Sequence, residues 1–256
     1  MMDKTTAPPS AAAERPYDTK GTYNKRFADL KDLVVVLGHA TYIGGNASEA
    51  LVDSKWLGLQ NCTAATLNEH ADRGVQIANE MKSSLLVFSG GTLGEITGPR
   101  PLGLGLWVLE DQKNWLGFNG VRDRAVPEPT SWDSFQNMEF SMAQFYLCTG
   151  KLPDKVVACG FEFKRERLLF HAETLGIRKE KFTYVGVNDP VGSPTDMNTP
   201  LGNATVGEAK ALQAFREDPR GEKGELLKKK ELRNLYRFGN QYASVLAELG
   251  NQLRKD

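Results

Sequence analysis

The sequence predicts an α/β domain: a Rossmann-like, mostly parallel sheet with helices on both faces. Three observations point there. Continuous apolar, β-branched runs, the pattern of strands buried on both faces, recur at 33–38, 85–89, 155–160 and 182–187. Between them lie segments whose apolar residues repeat every three to four positions. Strand and helix alternate along the chain, which implies parallel strands joined by right-handed crossovers.

Residues 1–30 are poor in large apolar groups and read as a disordered or loosely docked leader, with residues 31–256 as a single domain. The first strand, Leu33 to Gly38, is followed by a loop carrying Gly44 and Gly45. Thr66 and Glu69 have the spacing of a capping box, and Leu67, Ala71, Val75, Ala78 and Met81 continue a helical period. The run Leu85 to Phe88 breaks at Ser89-Gly90-Gly91, and a helix is expected over about 104–114. Asp133 is placed to cap a helix that ends at Gly150. A strand at 156–160 precedes a helix from Lys164 to Leu175, stopped by Gly176. After the strand at 182–187 the composition predicts a long loop over 188–204, then polar helices near 205–217 and 224–249.

The 256 residues carry 32 Lys and Arg against 32 Asp and Glu, so any attraction to nucleic acid must come from a local patch. No apolar run approaches the ~20 residues that span a bilayer, and the N-terminus lacks the layout of a signal peptide. Cys62, Cys148 and Cys159 form no CxxC pair, and His39, His70 and His171 are scattered. Neither a disulfide framework nor a metal site is expected. These features read as a cytoplasmic protein with no required cofactor.

In open parallel sheets ligands bind outside the carboxyl ends of the strands, so the residues there are the site candidates. The Ser89-Gly90-Gly91 turn offers backbone N–H groups that can cradle a carboxylate, phosphate or oxyanion, or it is simply a tight turn. Lys164, Arg165 and Arg167 open a helix, against the macrodipole, unless an anion meets them. The alternative is a solvated face paired with Glu162 and Glu166. His39 follows a strand-end glycine and is either a general base or a packed histidine. Ser89 is a candidate nucleophile without a GxSxG elbow. Glu69 and Asp133 read as caps. Lys228, Lys229, Lys230, Arg233 and Arg237 make a basic stretch that is either a solvated helix or a phosphate contact.

Several of these segments, in this order, resemble the DUF218 family, whose bacterial members include YdcF-like and SanA-like proteins. They are Val34 to His39, Leu85 to Gly91, Gly98-Pro99-Arg100, Asp133 to Asn137, Thr149 to Lys155 and Phe161 to Arg165. The similarity covers roughly 33–240 and is nearest to the fungal branch. It implies a Rossmann-like domain and a site at Gly38, Ser89, Gly90, Gly91, Asn137, Lys164 and Arg165. It also implies S-adenosylmethionine or a nucleotide-like ligand. Two departures stand out. Where relatives carry Ser-Glu-Ala after the glycine turn, this chain reads Arg100-Pro101-Leu102-Gly103-Leu104, and Glu162 stands where bacterial relatives tend to have His.

The chain is also similar in size and character to fungal arginine-containing cyclodipeptide synthases, which act on aminoacyl-tRNA. Such an activity needs a carboxylate for the arginyl guanidinium, for which Glu162, Glu69 and Asp189 are candidates, a nucleophile or base, for which Ser89 and His39 are candidates, and a basic track for tRNA, which Lys164, Arg165, Arg167 and the 228–237 stretch could supply. The alternatives are a binding module for S-adenosylmethionine or a nucleotide, and a small-molecule hydrolase.

Overall fold

A computed structural model describes residues 27–253, with side chains to 250. The expected leader lies mostly outside these residues, but Phe27 is packed in the core, so ordered packing starts before residue 31.

The chain order is β1 (Asp32–Leu37), β2 (Thr41–Tyr42), β3 (Trp56–Leu57), α1 (Ala64–Glu80), β4 (Ser84–Ser89), α2 (Leu102–Gln112), α3 (Asn119–Arg122), β5 (Ala125–Glu128), α4 (Ser134–Thr149), β6 (Lys155–Gly160), α5 (Arg165–Thr174), β7 (Phe182–Gly186), α6 (Pro200–Glu217), α7 (Gly224–Arg233) and α8 (Ala243–Leu253). Five strands form one sheet in the order β5-β4-β1-β6-β7, and every neighbouring pair is parallel. Strands β2 and β3 make a small antiparallel hairpin beside it.

Alternate residues of the central strands feed two separate cores. Leu33, Val35, Leu85 and Val87 pack with α4, α5 and α8. Val34, Val36, Leu86 and Phe88 pack with α1 and α2. This two-sided burial is why these strands read as unbroken apolar runs. The third parallel strand, β5, is only four residues long and contains Pro127, which an edge strand tolerates. It went unseen in the sequence for those two reasons.

Local details depart from expectation at helix ends. Helix α1 is capped by Thr63, whose side chain accepts from the Thr66 N–H, while Asp53 accepts from the Ala64 N–H. The favourable Ala64-Ala65 pair extends the helix beyond Thr66, and Glu69 instead accepts from Asn188. Asp133 caps α4 through the Gln136 N–H, and Gly150 closes it in the left-handed conformation. The expected helix at 224–249 is two helices. Asn234 Oδ1 accepts from the Phe238 N–H, Asn240 Oδ1 from the Tyr242 N–H, and Arg237 has φ of 52° between them. Among the described residues no helix is long and apolar enough to cross a membrane.

Candidate functional site

A cavity of about 770 Å³ opens at the carboxyl edge of the sheet. Its floor comes from the segments after all five parallel strands: Gly38-His39 after β1, Gly90 to Leu93 after β4, Ser131 to Ser134 and Asn137 after β5, Phe161, Phe163, Lys164 and Arg167 after β6 and Pro190 after β7. Helices α6 and α7 close it from outside, with Lys210 and Glu208 from one and Lys229 and Arg233 from the other. Strands β1 and β6 are neighbours whose crossovers run to opposite sides of the sheet, so the crevice between their ends is a topological switch point.

Close backbone approach makes glycine necessary on the floor. A Cβ on Gly91 would lie 2.3 Å from the Ser131 carbonyl oxygen, and one on Gly38 would lie 2.8 Å from both the Ser89 carbonyl oxygen and Leu102. The same closeness uses up the N–H groups expected to hold an anion. Gly90 N–H donates to the Glu128 carbonyl at 2.9 Å and Gly91 N–H to the Ser131 carbonyl at 2.7 Å. The turn is therefore a packed floor, not an oxyanion cradle.

Of the residues expected to converge, Gly38, His39, Gly90, Gly91, Asn137, Lys164 and Arg167 line the cavity, while Ser89, Glu162 and Arg165 do not. Ser89 is fully buried beneath the floor. Its hydroxyl donates to Glu128 Oε2 at 2.7 Å and lies 3.2 Å from the Asn137 carbonyl. Glu128 also accepts from the Thr130 N–H and hydroxyl, and burial raises its carboxyl above the usual range. Glu162 and Arg165 turn to each other on the surface, with Arg165 Nε 2.5 Å and Nη2 2.6 Å from the carboxylate. Arg165 also donates to the Tyr184 carbonyl. Local spacing of three along the chain draws this pair together, away from the crevice.

Arg167 enters the cavity wall held by Glu208 and by the Ser134 hydroxyl. The Asn137 side chain accepts from the Ser131 hydroxyl at 2.5 Å. Lys164 extends over the Phe161 and Phe163 rings, 4.8 and 5.4 Å from their centroids, and its Nζ lies 3.2 Å from His39 Nδ1. His39 Nε2 is 3.2 Å from the Gln60 carbonyl, an acceptor only, so Nε2 carries the proton and Nδ1 offers its lone pair. Burial and the nearby Lys164 hold His39 well below the usual imidazole range. Burial, with Arg167 beside it, brings Lys164 down to about 7.

The 228–237 stretch divides its roles. Lys228 pairs with Glu225 at the exposed rim of the cavity, and Lys230 turns inward to Asp133 and the Arg220 carbonyl. Lys229 and Arg233 reach the cavity wall. Arg233 donates to the Trp132 carbonyl at 2.6 Å, and its own carbonyl accepts from Thr92, tying α7 across the opening. Sequence spacing alone could not find this contribution, because α7 lies far along the chain from every strand end it meets. No group of three or more His, Cys, Asp or Glu side chains suited to a metal ion occurs among the described residues.

The chain is similar to an uncharacterized protein of Saccharomyces cerevisiae, YOR238W, with 32% identity over 150 residues. The alignment takes in 53% of this chain and 48% of the yeast protein, so the chain spans about half the length of that relative. No family model matches the chain, and no solved structure matches it.

Proposed function

We propose that the cavity receives the phosphate-bearing end of an aminoacyl-tRNA, and that the chain joins an arginyl group to a second aminoacyl group as a cyclic dipeptide. The observation behind this reading is the charge of the wall. Six basic side chains (Lys164, Arg167, Lys210, Lys228, Lys229 and Arg233), of which Lys164 is only partly charged at neutral pH, face three carboxylates, Asp133, Glu208 and Glu225. Asp133 and Glu208 are already held by Lys230 and Arg167. A phosphate-bearing ligand complements that surplus, and the volume is in the range of small-molecule and cofactor sites. Because net charge is +0, the surplus is local.

The acyl transfer itself rests on the resemblance and on chemical economy. An aminoacyl ester already carries its activation, so no ATP site is called for. The α-amine of one aminoacyl group attacks the carbonyl carbon of the other, the C–N bond forms, the ester C–O bond breaks, and the tRNA leaves through its terminal ribose oxygen. A second such attack closes the ring. Glu162 is poorly placed to hold the arginyl guanidinium, being paired with Arg165 outside the cavity. Glu225 is on the wall, and its ion pair with Lys228 is solvent-exposed and so weak, which makes it the carboxylate most free to do so.

The same charge surplus supports a second reading, a module that binds a free nucleoside phosphate. The deciding assay combines the purified protein with tRNA, aminoacyl-tRNA synthetases, ATP and amino acids, with and without ribonuclease. An arginine-containing cyclic dipeptide that disappears with ribonuclease supports the synthase. No cyclic dipeptide under either condition, with saturable binding of a nucleoside phosphate, moves the assignment to the binding module.

A further inference from the structure

Lys164 differs from the other cations of the wall. Among the described residues no carboxylate lies within ion-pair distance of its Nζ. The acid on the facing helix, Glu208, has both oxygens engaged by Arg167. Nζ instead hydrogen-bonds a neutral imidazole, His39 Nδ1, which can accept from an amine but does not stabilise an ammonium as a carboxylate would. The amine rests on two aromatic rings at the switch point between β1 and β6, where the fold places ligands.

The titratable and charged groups around it come from every neighbouring element. They are His39 and His70 on the β1 and α1 side, Cys62 before α1, Asp189 after β7, and Arg167, Glu208 and Arg233 from α5, α6 and α7. Burial raises the Cys62 thiol to about 11, so it supplies no thiolate at neutral pH. Asp189 accepts from the Phe163 N–H.

We propose that Lys164 is the catalytic base of this cavity, its free amine taking a proton from a substrate ammonium bound within hydrogen-bond reach of Nζ. In the acyl transfer above, on which this assignment rests, the attacking α-ammonium loses one proton to Lys164 Nζ. The second proton of the new bond goes to the departing ribose oxygen, and the Lys164 ammonium then releases its proton to water. The neutral form needed for this step is present near neutral pH, since Lys164 titrates at about 7.

Two measurements test it. Pyridoxal 5′-phosphate, a small aldehyde carrying a phosphate, is added to the full chain, trapped with borohydride and mapped by mass spectrometry of peptides. The expected result is one dominant adduct at Lys164 at pH 7.5. Its yield should rise with a midpoint near 7, fall with added inorganic phosphate and vanish in Lys164→Met. Adducts spread over surface lysines, or a Lys164 adduct that appears only near pH 10, overturn the proposal. This arm needs no tRNA, so it decides the state of the amine even if no cyclic dipeptide forms. In the product assay Lys164→Arg keeps the positive charge but removes the base, and a fall of about 10²–10⁴ is expected. Near wild-type turnover in Lys164→Arg, with an unchanged melting temperature, would make Lys164 a phosphate contact only.

Discussion

Arg167 and Glu208 meet fork to fork, with Nε on Oε1 and Nη2 on Oε2, each at 2.7 Å. Both side chains are about nine-tenths buried. This pair fastens α6 to the start of α5 and so fixes one wall of the cavity. Removing either partner strands the other as a buried, unpaired charge, at a cost of roughly 3–5 kcal/mol. Glu208→Ala and Arg167→Ala should each lower stability by that order in denaturant unfolding. The double variant should lose clearly less than their sum. Strict additivity would show that the two groups are not coupled.

Ser89→Ala tests whether this serine is structural. Its hydroxyl satisfies one oxygen of the buried Glu128 and faces no open space. Stability should fall by about 1–3 kcal/mol as that acceptor loses its donor. Turnover by the folded variant in the proposed reaction should stay near wild type. A folded Ser89→Ala protein without activity would return Ser89 to the catalytic candidates.

Glu162→Gln separates the surface pair from arginine recognition. Glu162 and Arg165 side chains are both more than two-fifths exposed, so the variant should change stability by no more than about 1 kcal/mol. In the proposed acyl transfer, the share of arginine-containing product should not change. A selective loss of that product would bring Glu162 into contact with substrate, contrary to its position.

Strand burial was legible because each central strand faces a core on both sides, leaving no polar interruption to mask it. The position of the cavity followed from the same reading, since loops after parallel strands share one edge. The sequence did not reveal which side chains turn into the crevice. Glu162 and Arg165 sit next to Lys164 in sequence, yet pair with each other while Lys164 points to His39. The glycine turn looked like an anion cradle, but its N–H groups are spent on one carbonyl of an edge strand the sequence hid and one of the loop after it. Arg233 and Lys229 reached the wall through helix packing, which no local pattern encodes.

Away from the cavity, Glu110 gives a pH-dependent test of the core between α1 and α2. Its side chain is fully buried. One oxygen accepts from Lys113 Nζ at 2.8 Å, and the other has no partner. Lys113 is shared with Asp72 and Asn68 on α1. Burial raises the Glu110 carboxyl from its ordinary 4.5 to about 7, against the opposing pull of Lys113. Between those values the folded protein binds more protons at this site than the unfolded chain. Stability from Glu110 is therefore fully present below pH 4.5 and is lost as pH rises through 7. A shift of that size corresponds to something on the order of 3 kcal/mol across the window. Glu110→Gln cannot ionise, so the stability of wild type relative to the variant should decline steadily from pH 4.5 to 7 and level off above it. Taking the difference cancels the other buried carboxyls, Glu128 and Glu139, which burial also raises. Denaturant unfolding at a series of pH values measures it, and parallel curves for the two proteins would mean that Glu110 does not titrate in this range.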